Sequence, residues 1–468
     1  MESWLYDIAW EPFSFSEREK GGPADTWLVV GSPGGAERDP QLMKKLSERG
    51  GTAIFVEVDT RDVGNALLAK KLSEKVGALP QVTGVISLLP FAEEGHSRYP
   101  RVNSGTIGTL TLFQALLASG LKAPMWSLTR GAVSTGPGDP CLSPTQAQTW
   151  GLGQCIELEY ASLWGGVIDL PNEWDELTGE YLMAALSDRA ETQIAIRPGG
   201  PLRRRLVRVD DARPARQWRP RGTVLVTGGL GGLGGYVARW LVDQGARHLV
   251  LTGRRGSDTP GAEELRQELS QSGADVTIAA CDMADREAII ALVSSLEREG
   301  RPIRSVMHAA GVTQTTPIGA TSPQELVDVY QAKVTGALIL DELLAGKDLD
   351  AFVLFSSVAA TWGVPMSGPY ASANSFMDAL AQRRRDRGET ATSVAWGPWA
   401  SGLMDNEWAK EKMRRLGMPL MAPESAVSAL ARTLDQDLTT VTVADVDWSV
   451  FLTDPAQRER HLFDRVNR

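Results

Sequence analysis

The sequence predicts two α/β halves in one chain, the second a doubly wound parallel sheet and the first a weaker copy of its rhythm. Three observations predict it: short apolar runs alternate with amphipathic stretches beyond Gly222, the same alternation recurs less regularly before Leu202, and a Pro-, Arg- and Asp-rich stretch, Asp210 to Gly222, separates the two. Short strands alternating with helical patterns build βαβ units and hence a parallel sheet.

In the first half the order is DTWLVVGSP, QLMKKLSERG, TAIFVEV, NALLAKKLSEKVG, VTGVISLLP, LTLFQALLASG, APMWSLTRG and QTWGLGQCIELEYASLWGGVIDLP. Leu202 to Val209 interleaves apolar residues with Arg203, Arg204, Arg205 and Arg208, the pattern of a strand and not of a basic tail. The linker follows. Beyond it come TVLVTGG, YVARWLVDQG, HLVLTGR, AEELRQELSQSG, DVTIAACD, REAIIALVSSLEREG, SVMHAAG, a helical stretch ending ALILDELLAG, AFVLFSS and SFMDALAQRRRDRG. SLTRG in the first half parallels LFSSV in the second, so a duplicated unit is the economical explanation.

The 468 residues carry 48 Lys and Arg against 58 Asp and Glu, a net −10 that argues against a general nucleic-acid binder. At 43% hydrophobic residues and with no apolar run of the roughly 20 residues a bilayer span needs, no membrane segment is expected. Cys141, Cys155 and Cys281 form no C-x-x-C pair, and His96, His248, His308 and His461 stand singly, so neither a disulfide framework nor a metal site is expected. MESWLYDIAWEP lacks the pattern of an export signal, which makes a cytoplasmic address the default expectation.

Thr227-Gly228-Gly229-Leu230-Gly231-Gly232-Leu233-Gly234 lies between an apolar strand and a helix. It holds both G-x-G-x-x-G and T-G-x-x-x-G-x-G spacings, which let a backbone approach a pyrophosphate at a helix N-terminus. Arg254 and Arg255 end the next strand, where an acid would hold a ribose hydroxyl and an arginine suits a 2′-phosphate. NADPH is the cofactor this implies. Asp282 is placed to hydrogen-bond the adenine, and Ala309, Ala310 and Gly311 are small enough for a cofactor to lie across them. In the first half the corresponding glycines read G-S-P-G-G, with Pro33 and no cradle. Tyr99 with Asn103 four residues on is a chance match there, since no cradle precedes it.

TGGLGGLG, HAAG, Phe355-Ser356-Ser357 and Tyr370-Ala-Ser-Ala-Asn374 together resemble the short-chain dehydrogenase/reductase superfamily. Asn374 stands where many members carry lysine, and Lys333 appears upstream in QAKVTGALIL. That exchange resembles the ketoreductase domains of modular type I polyketide synthases, as does Trp396-Gly-Pro-Trp399. The resemblance covers essentially the whole chain. It implies two Rossmann-like halves: a cofactor-free structural subdomain, drawn as 1–212, and a catalytic NADPH-binding subdomain, 213–468.

The residue types suit ketone reduction. Tyrosine can donate a proton if its pKa, about 10 in isolation, is lowered, and a nearby ammonium favours the phenolate. Tyr370 and Asn374, four apart, share a helix face. Tyr370 is the expected proton donor, Ser357 the holder of the substrate carbonyl, Lys333 the ammonium, and Asn374 the group that orients the lysine or a water. Singly, each has a bland alternative as cap, packing or surface residue; jointly, after a cradle, they point to chemistry.

The resemblance further implies stereocontrol at Val358, Trp362 and Ser367. The region after HAAG reads Val312-Thr313-Gln314-Thr315-Thr316, without the Leu-Asp-Asp of B-type members. Trp362, eight residues before Tyr370, matches A-type members, whose product is the L-3-hydroxyacyl chain. Ser367 replaces the histidine of members that select an inverted α-substituent, which favours A1. The segment from Gly402 to Pro423 reads as an amphipathic lid. The implied partners are an acyl carrier protein bearing the β-ketoacyl chain on phosphopantetheine, and neighbouring synthase domains. Two alternatives stay open: an epimerising or reductively impaired domain, and a non-catalytic scaffold.

Overall fold

The computed structural model describes residues 4–15, 25–34, 40–48, 51–59, 65–76, 82–209, 217–401 and 406–466. Its strands are β1 (Leu5–Pro12), β2 (Thr26–Gly31), β3 (Thr52–Glu57), β4 (Gly84–Ser87), β5 (Met125–Arg130), β6 (Trp164–Leu170), β7 (Gln193–Arg197), β8 (Gly200–Arg208), β9 (Thr223–Thr227), β10 (His248–Gly253), β11 (Asp275–Ala280), β12 (Ile303–His308), β13 (Ala351–Ser357), β14 (Thr392–Trp396) and β15 (Thr440–Val443). They form one continuous 15-stranded sheet in the order β11-β10-β9-β12-β13-β14-β15-β1-β8-β7-β6-β5-β4-β2-β3.

The strands β2 to β7 and β9 to β15 pair in parallel, β8 and β1 joining antiparallel between the two sets, and helices cover both faces, so β4, β9 and β13 are buried along their whole length. That is why they read as unbroken apolar runs. In the second half the strand order reverses at β9, which lies between β10 and β12. A crevice opens at such a switch point, outside the C-terminal ends of the strands.

Two of the contacts between the halves bear on the site. β1, which the sequence did not flag as a strand, pairs antiparallel with β8 from Tyr6↔Arg208 to Pro12↔Leu202, and with β15 at Leu5↔Val443. It welds the two sheets together. The second contact joins helices α1 (Ala147–Tyr160) and α2 (Gly368–Asp386). A Cβ on Gly151 would stand 2.4 Å from the Ala371 carbonyl oxygen, so only glycine lets these backbones touch, and Ser372 Oγ donates to the Gln148 carbonyl at 2.8 Å. This contact fixes the start of α2, where Tyr370 sits.

The expected division between residues 212 and 213 lies outside the described residues. Among those described, no helix is long and apolar enough to cross a membrane.

Candidate active site

A cleft of about 1,060 Å³ opens over the C-terminal ends of β9, β10, β12 and β13. Gly228, Leu230, Gly231, Gly232, Leu233 and Gly234 form its floor, Arg254 and Arg255 lie at one end, and Ala309, Ala310 and Gly311 line the middle. Lys333, Ser357, Val358 and Tyr370 line the rest, beneath Trp396 and Trp399.

The glycine turn is shaped by two positions. Gly228 has φ +66, and a Cβ there would meet Ala310 Cα at 2.9 Å; one on Gly234 would meet the Gly228 carbonyl oxygen at 2.2 Å. Side chains at either position would fill the cradle. Helix α3 (Gly232–Asp243) then points its N-terminus into the cleft, the arrangement that suits a phosphate. The fit to a dinucleotide rests on these contacts and on Arg254 and Arg255, both exposed at the mouth.

Three of the expected cofactor residues sit elsewhere. Thr227 is wholly buried beneath the cleft, and Gly229 faces inward, where a Cβ would meet Leu251 at 3.1 Å. Asp282 is exposed and outside the lining; its Oδ1 accepts the Ala284 N–H at 2.9 Å. Thr227 has a supporting job that residue spacing could not reveal. Its Oγ1 accepts the Ala310 N–H at 3.3 Å and lies 2.8 Å from His308 Nδ1, while His308 Nε2 lies 3.0 Å from the Lys333 carbonyl oxygen. A carbonyl only accepts, so Nε2 carries the proton and Nδ1 accepts from Thr227. Burial holds the imidazole down to about 4, and it stays neutral. His308 thus ties the glycine turn to the backbone of Lys333.

Lys333 lies in a π-helical turn, Gln331–Thr335, inserted where the sequence pattern reads as continuous helix. Its side chain is 4% exposed, and Nζ donates to the Phe355 carbonyl at 2.6 Å. Nζ also stands 5.3 Å from the centroid of the Tyr370 ring, and a Cβ on Gly311 would meet Lys333 Cε at 2.7 Å. Burial pushes the ammonium down to about 8, against an upward pull from the Asp378 carboxylate.

Ser357 ends β13 and caps the helical turn after it by accepting the Ala359 N–H at 3.3 Å. Tyr370 opens α2; burial raises its phenol while hydrogen bonding from Ser357 and Asn374 pulls it back. One turn on, Asn374 Nδ2 donates to the Tyr370 carbonyl at 2.7 Å, and its buried Oδ1 has no partner among the described residues. An orphaned buried acceptor is costly in a purely structural role and marks a place where another donor is wanted. Three groups from three separated stretches of chain, Lys333, Ser357 and Tyr370, therefore line the cleft beside the cradle, and Asn374, wholly buried and outside the lining, backs Tyr370 from one turn along the helix.

The expected stereocontrol residues divide. Val358 lines the cleft. Trp362 does not: it is 1% exposed, with its indole caged by Trp448, Phe451 and Phe463 at centroid distances of 6.2, 6.0 and 6.2 Å. It anchors the loop leading to α2. Ser367 stands half-buried just before that helix and also outside the lining, whereas Val364 from the same loop reaches it. Met413 and Met418 also line the cleft, and the sequence singled out neither. Met413 comes from helix α4 (Glu407–Arg415), inside the expected lid; residues 402–405 of that lid lie outside the described residues. Two methionines at the end of an otherwise charged amphipathic stretch were the available signal.

Comparison with known proteins places the chain. Residues 222–401 match the KR domain family, and 21–206 match the family described as the Rossmann fold domain of polyketide synthase extender module SpnB. Polyketide synthase GfsA of Streptomyces halstedii is 44% identical across 96% of the chain, which spans 6% of that relative's length. A solved structure of A-type ketoreductases from a modular polyketide synthase is 42% identical with a TM-score of 0.93, covering 99% of this chain and 97% of that one. A structure of an A1-type ketoreductase is also 42% identical at a TM-score of 0.93, over 100% and 98% of the two chains.

Proposed function

The chain belongs to the ketoreductase domains of modular polyketide synthases, and from that premise we propose that it reduces the β-keto group of an acyl chain, carried by an acyl carrier protein, with NADPH and with Tyr370 as proton donor. The observation that carries this reading is the convergence of Lys333, Ser357 and Tyr370 in the glycine-lined cleft, with Asn374 bonded behind the tyrosine. NADPH, when bound, supplies the hydride.

The chain's own residues do the rest. The Gly228 and Gly234 turn and the N-terminus of α3 take the pyrophosphate, and Arg254 with Arg255 takes the 2′-phosphate. Ser357 donates to the ketone oxygen and holds it near the phenol. Burial raises the Tyr370 phenol where the sequence reading asks for it to be lowered, while Ser357 and Asn374 pull it back, so the phenol holds its proton until charge grows on the substrate. As negative charge grows on the substrate oxygen the proton passes from Tyr370 Oη, and the Lys333 ammonium, 5.3 Å from the ring centroid, stabilises the phenolate left behind. Asn374 offers its unpartnered Oδ1 to a donor between itself and the lysine.

The L-3-hydroxyl of an A-type reductase is the expected product. Trp362 bears on it by fixing the loop that presents Val364, since its indole does not reach the cleft. The domain works beside other synthase domains, which deliver the acyl chain. The test is NADPH oxidation with a ketone surrogate, with chiral analysis of the product from a 2-methyl-3-ketoacyl carrier thioester. Tyr370→Phe should lose about 1,000-fold in kcat/KM while binding NADPH unchanged. A wild-type protein that binds NADPH without substrate-dependent oxidation sinks the reductase reading, and a D-configured product sinks the A-type assignment.

A further inference from the structure

Between the two halves lies a second cavity, of about 80 Å³, enough for water. β1 lines it with Tyr6, Asp7 and Trp10, β8 with Arg204, and α2 with Asp378. Tyr370, Asn374 and Asp378 follow one another at four-residue spacing, so they stack along one face of α2. The helix that carries Tyr370 in the cleft thus also carries Asp378 in the cavity.

Lys333 poses the problem that Asp378 answers. Its ammonium is buried, and the hydrogen bond found for it goes to a neutral carbonyl. A buried ammonium needs a compensating charge to stay ionised. Asp378 is held in place by Ser393 Oγ, which donates to its Oδ1 at 2.6 Å, beside Ser356, whose hydroxyl donates to the Asn374 carbonyl at 3.2 Å. Ser356 itself lines the cofactor cleft, so this serine is the partition between the two spaces.

We propose that Asp378, facing Arg204 of the first half across the water-sized cavity, is the counter-charge of the Lys333 ammonium and so a positioning residue of the reduction. The charged groups around it are Arg204 and Asp7 in the cavity and Lys333 across Ser356, with Arg460 acting on Arg204 from behind. Arg204 is fixed by hydrogen bonds to Gln193 Oε1 at 2.8 Å and the Thr361 carbonyl at 3.1 Å. Burial pushes the Asp378 carboxyl up to about 6, with Arg204 and Lys333 pulling against it, so at neutral pH it is a carboxylate. Its charge raises the proton affinity of Lys333. The first half, without a cradle of its own, reaches the chemistry through this cavity.

The inference rests on the roles given above to Lys333 and Tyr370, and the test separates the two. kcat/KM for a ketone surrogate is measured from pH 6 to 9.5 in the wild type, Lys333→Arg, Asp378→Asn and Asp378→Glu. Wild-type activity should fall on the alkaline side as Lys333, near 8, loses its proton. Asp378→Asn keeps a side chain of the same shape and removes the charge, so the midpoint should drop by about one unit: about tenfold less activity at pH 9, less than about twofold at pH 6.5. Asp378→Glu should restore most of it. An alkaline limb that is absent, or that persists in Lys333→Arg, breaks the reading of Lys333. A limb that Lys333→Arg removes and Asp378→Asn leaves unmoved, or an equal loss at every pH, overturns the inference about Asp378 alone. Should Asp378→Asn fail to fold, the wild type still decides: the 13Cε resonance of Lys333, assigned by its loss in Lys333→Arg, should carry a second inflection near 6 as Asp378 protonates, and its absence overturns the proposal.

Discussion

In the first half, β5, β6 and β7 occupy the places that β13, β14 and β15 occupy in the second, yet the ends of these strands hold opposite contents. At the first set, Asp169 is fully buried and fully satisfied: its Oδ1 accepts Thr129 Oγ1 at 2.7 Å and the Ala132 N–H at 2.9 Å, and its Oδ2 meets Arg197 Nη2 at 2.8 Å. Arg197 Nε reaches Asp139 at 2.8 Å as well. At the second set the polar groups are left wanting, with Asn374 Oδ1 orphaned and the Lys333 ammonium bonded to a carbonyl alone. A duplicated unit has thus built a self-satisfied network around Asp169 in one copy and left Asn374 Oδ1 unpaired in the other. The difference teaches that an orphaned polar group marks a ligand's place only where it adjoins a cleft, since the hydroxyls of Ser32, Ser104 and Ser127 of the first half are also buried without a hydrogen-bond partner among the described residues.

The sharpest way to break that contrast is to unplug the closed end. Arg197→Met leaves Asp169 charged in the interior without its main partner, and removing one member of a buried pair costs about 3–5 kcal/mol. The urea midpoint should drop accordingly, while NADPH affinity of the protein that remains folded stays within about twofold, since no part of this network reaches the cleft. A fall in affinity as large as the fall in stability would mean the first half's network serves the cofactor site after all.

The glycine turns give a second contrast. Gly228 and Gly34 both have positive φ, +66 and +75, but among the described residues a Cβ on Gly34 meets nothing within 4 Å whereas one on Gly228 strikes the Ala310 backbone. Gly34→Ala should therefore cost only the left-handed penalty of about 1–2 kcal/mol in stability and leave cofactor binding alone. Gly228→Ala adds a displaced cradle, and NADPH affinity should fall by about 10- to 100-fold, corresponding to about 1–3 kcal/mol of strain. Equal effects of the two substitutions on NADPH titrations would refute the distinction.

What could be read from the residues alone follows from how locally each feature is specified. Strands buried on both faces announce themselves as apolar runs, and the glycine turn and the Tyr370–Asn374 pair are set by contacts within a few residues. β1 was illegible because LYDIAWEP becomes a strand only through β8 and β15, both far along the chain. The π-helical turn at Lys333 hides inside an ordinary helical pattern. Trp362 stands at the expected spacing, but the residues that cage it come from the chain's end, so spacing could not tell a wall of the cleft from an anchor behind it. Asn103, the other asparagine four residues after a tyrosine, caps a helix by accepting the Thr106 N–H at 2.6 Å, which is the commonest employment of that residue.

Arg254 offers the smallest expected effect and the finest resolution of the contrast, because the residue that directly follows β3, the counterpart strand, is the buried Val58. It stands exposed at the end of β10 and at the mouth of the cleft, so neither packing nor stability should change when it is shortened. A charge-assisted hydrogen bond to a 2′-phosphate is worth about 1.5–3 kcal/mol, so Arg254→Ala should weaken NADPH binding by at least about tenfold and NADH binding by less than about twofold. Because the contact is exposed, added salt should erode the wild-type preference for NADPH and leave the variant's affinities nearly flat. Equal losses for the two cofactors would assign Arg254 to the shared pyrophosphate, and an unchanged NADPH affinity would shift the 2′-phosphate to Arg255, the next guanidinium along the same rim.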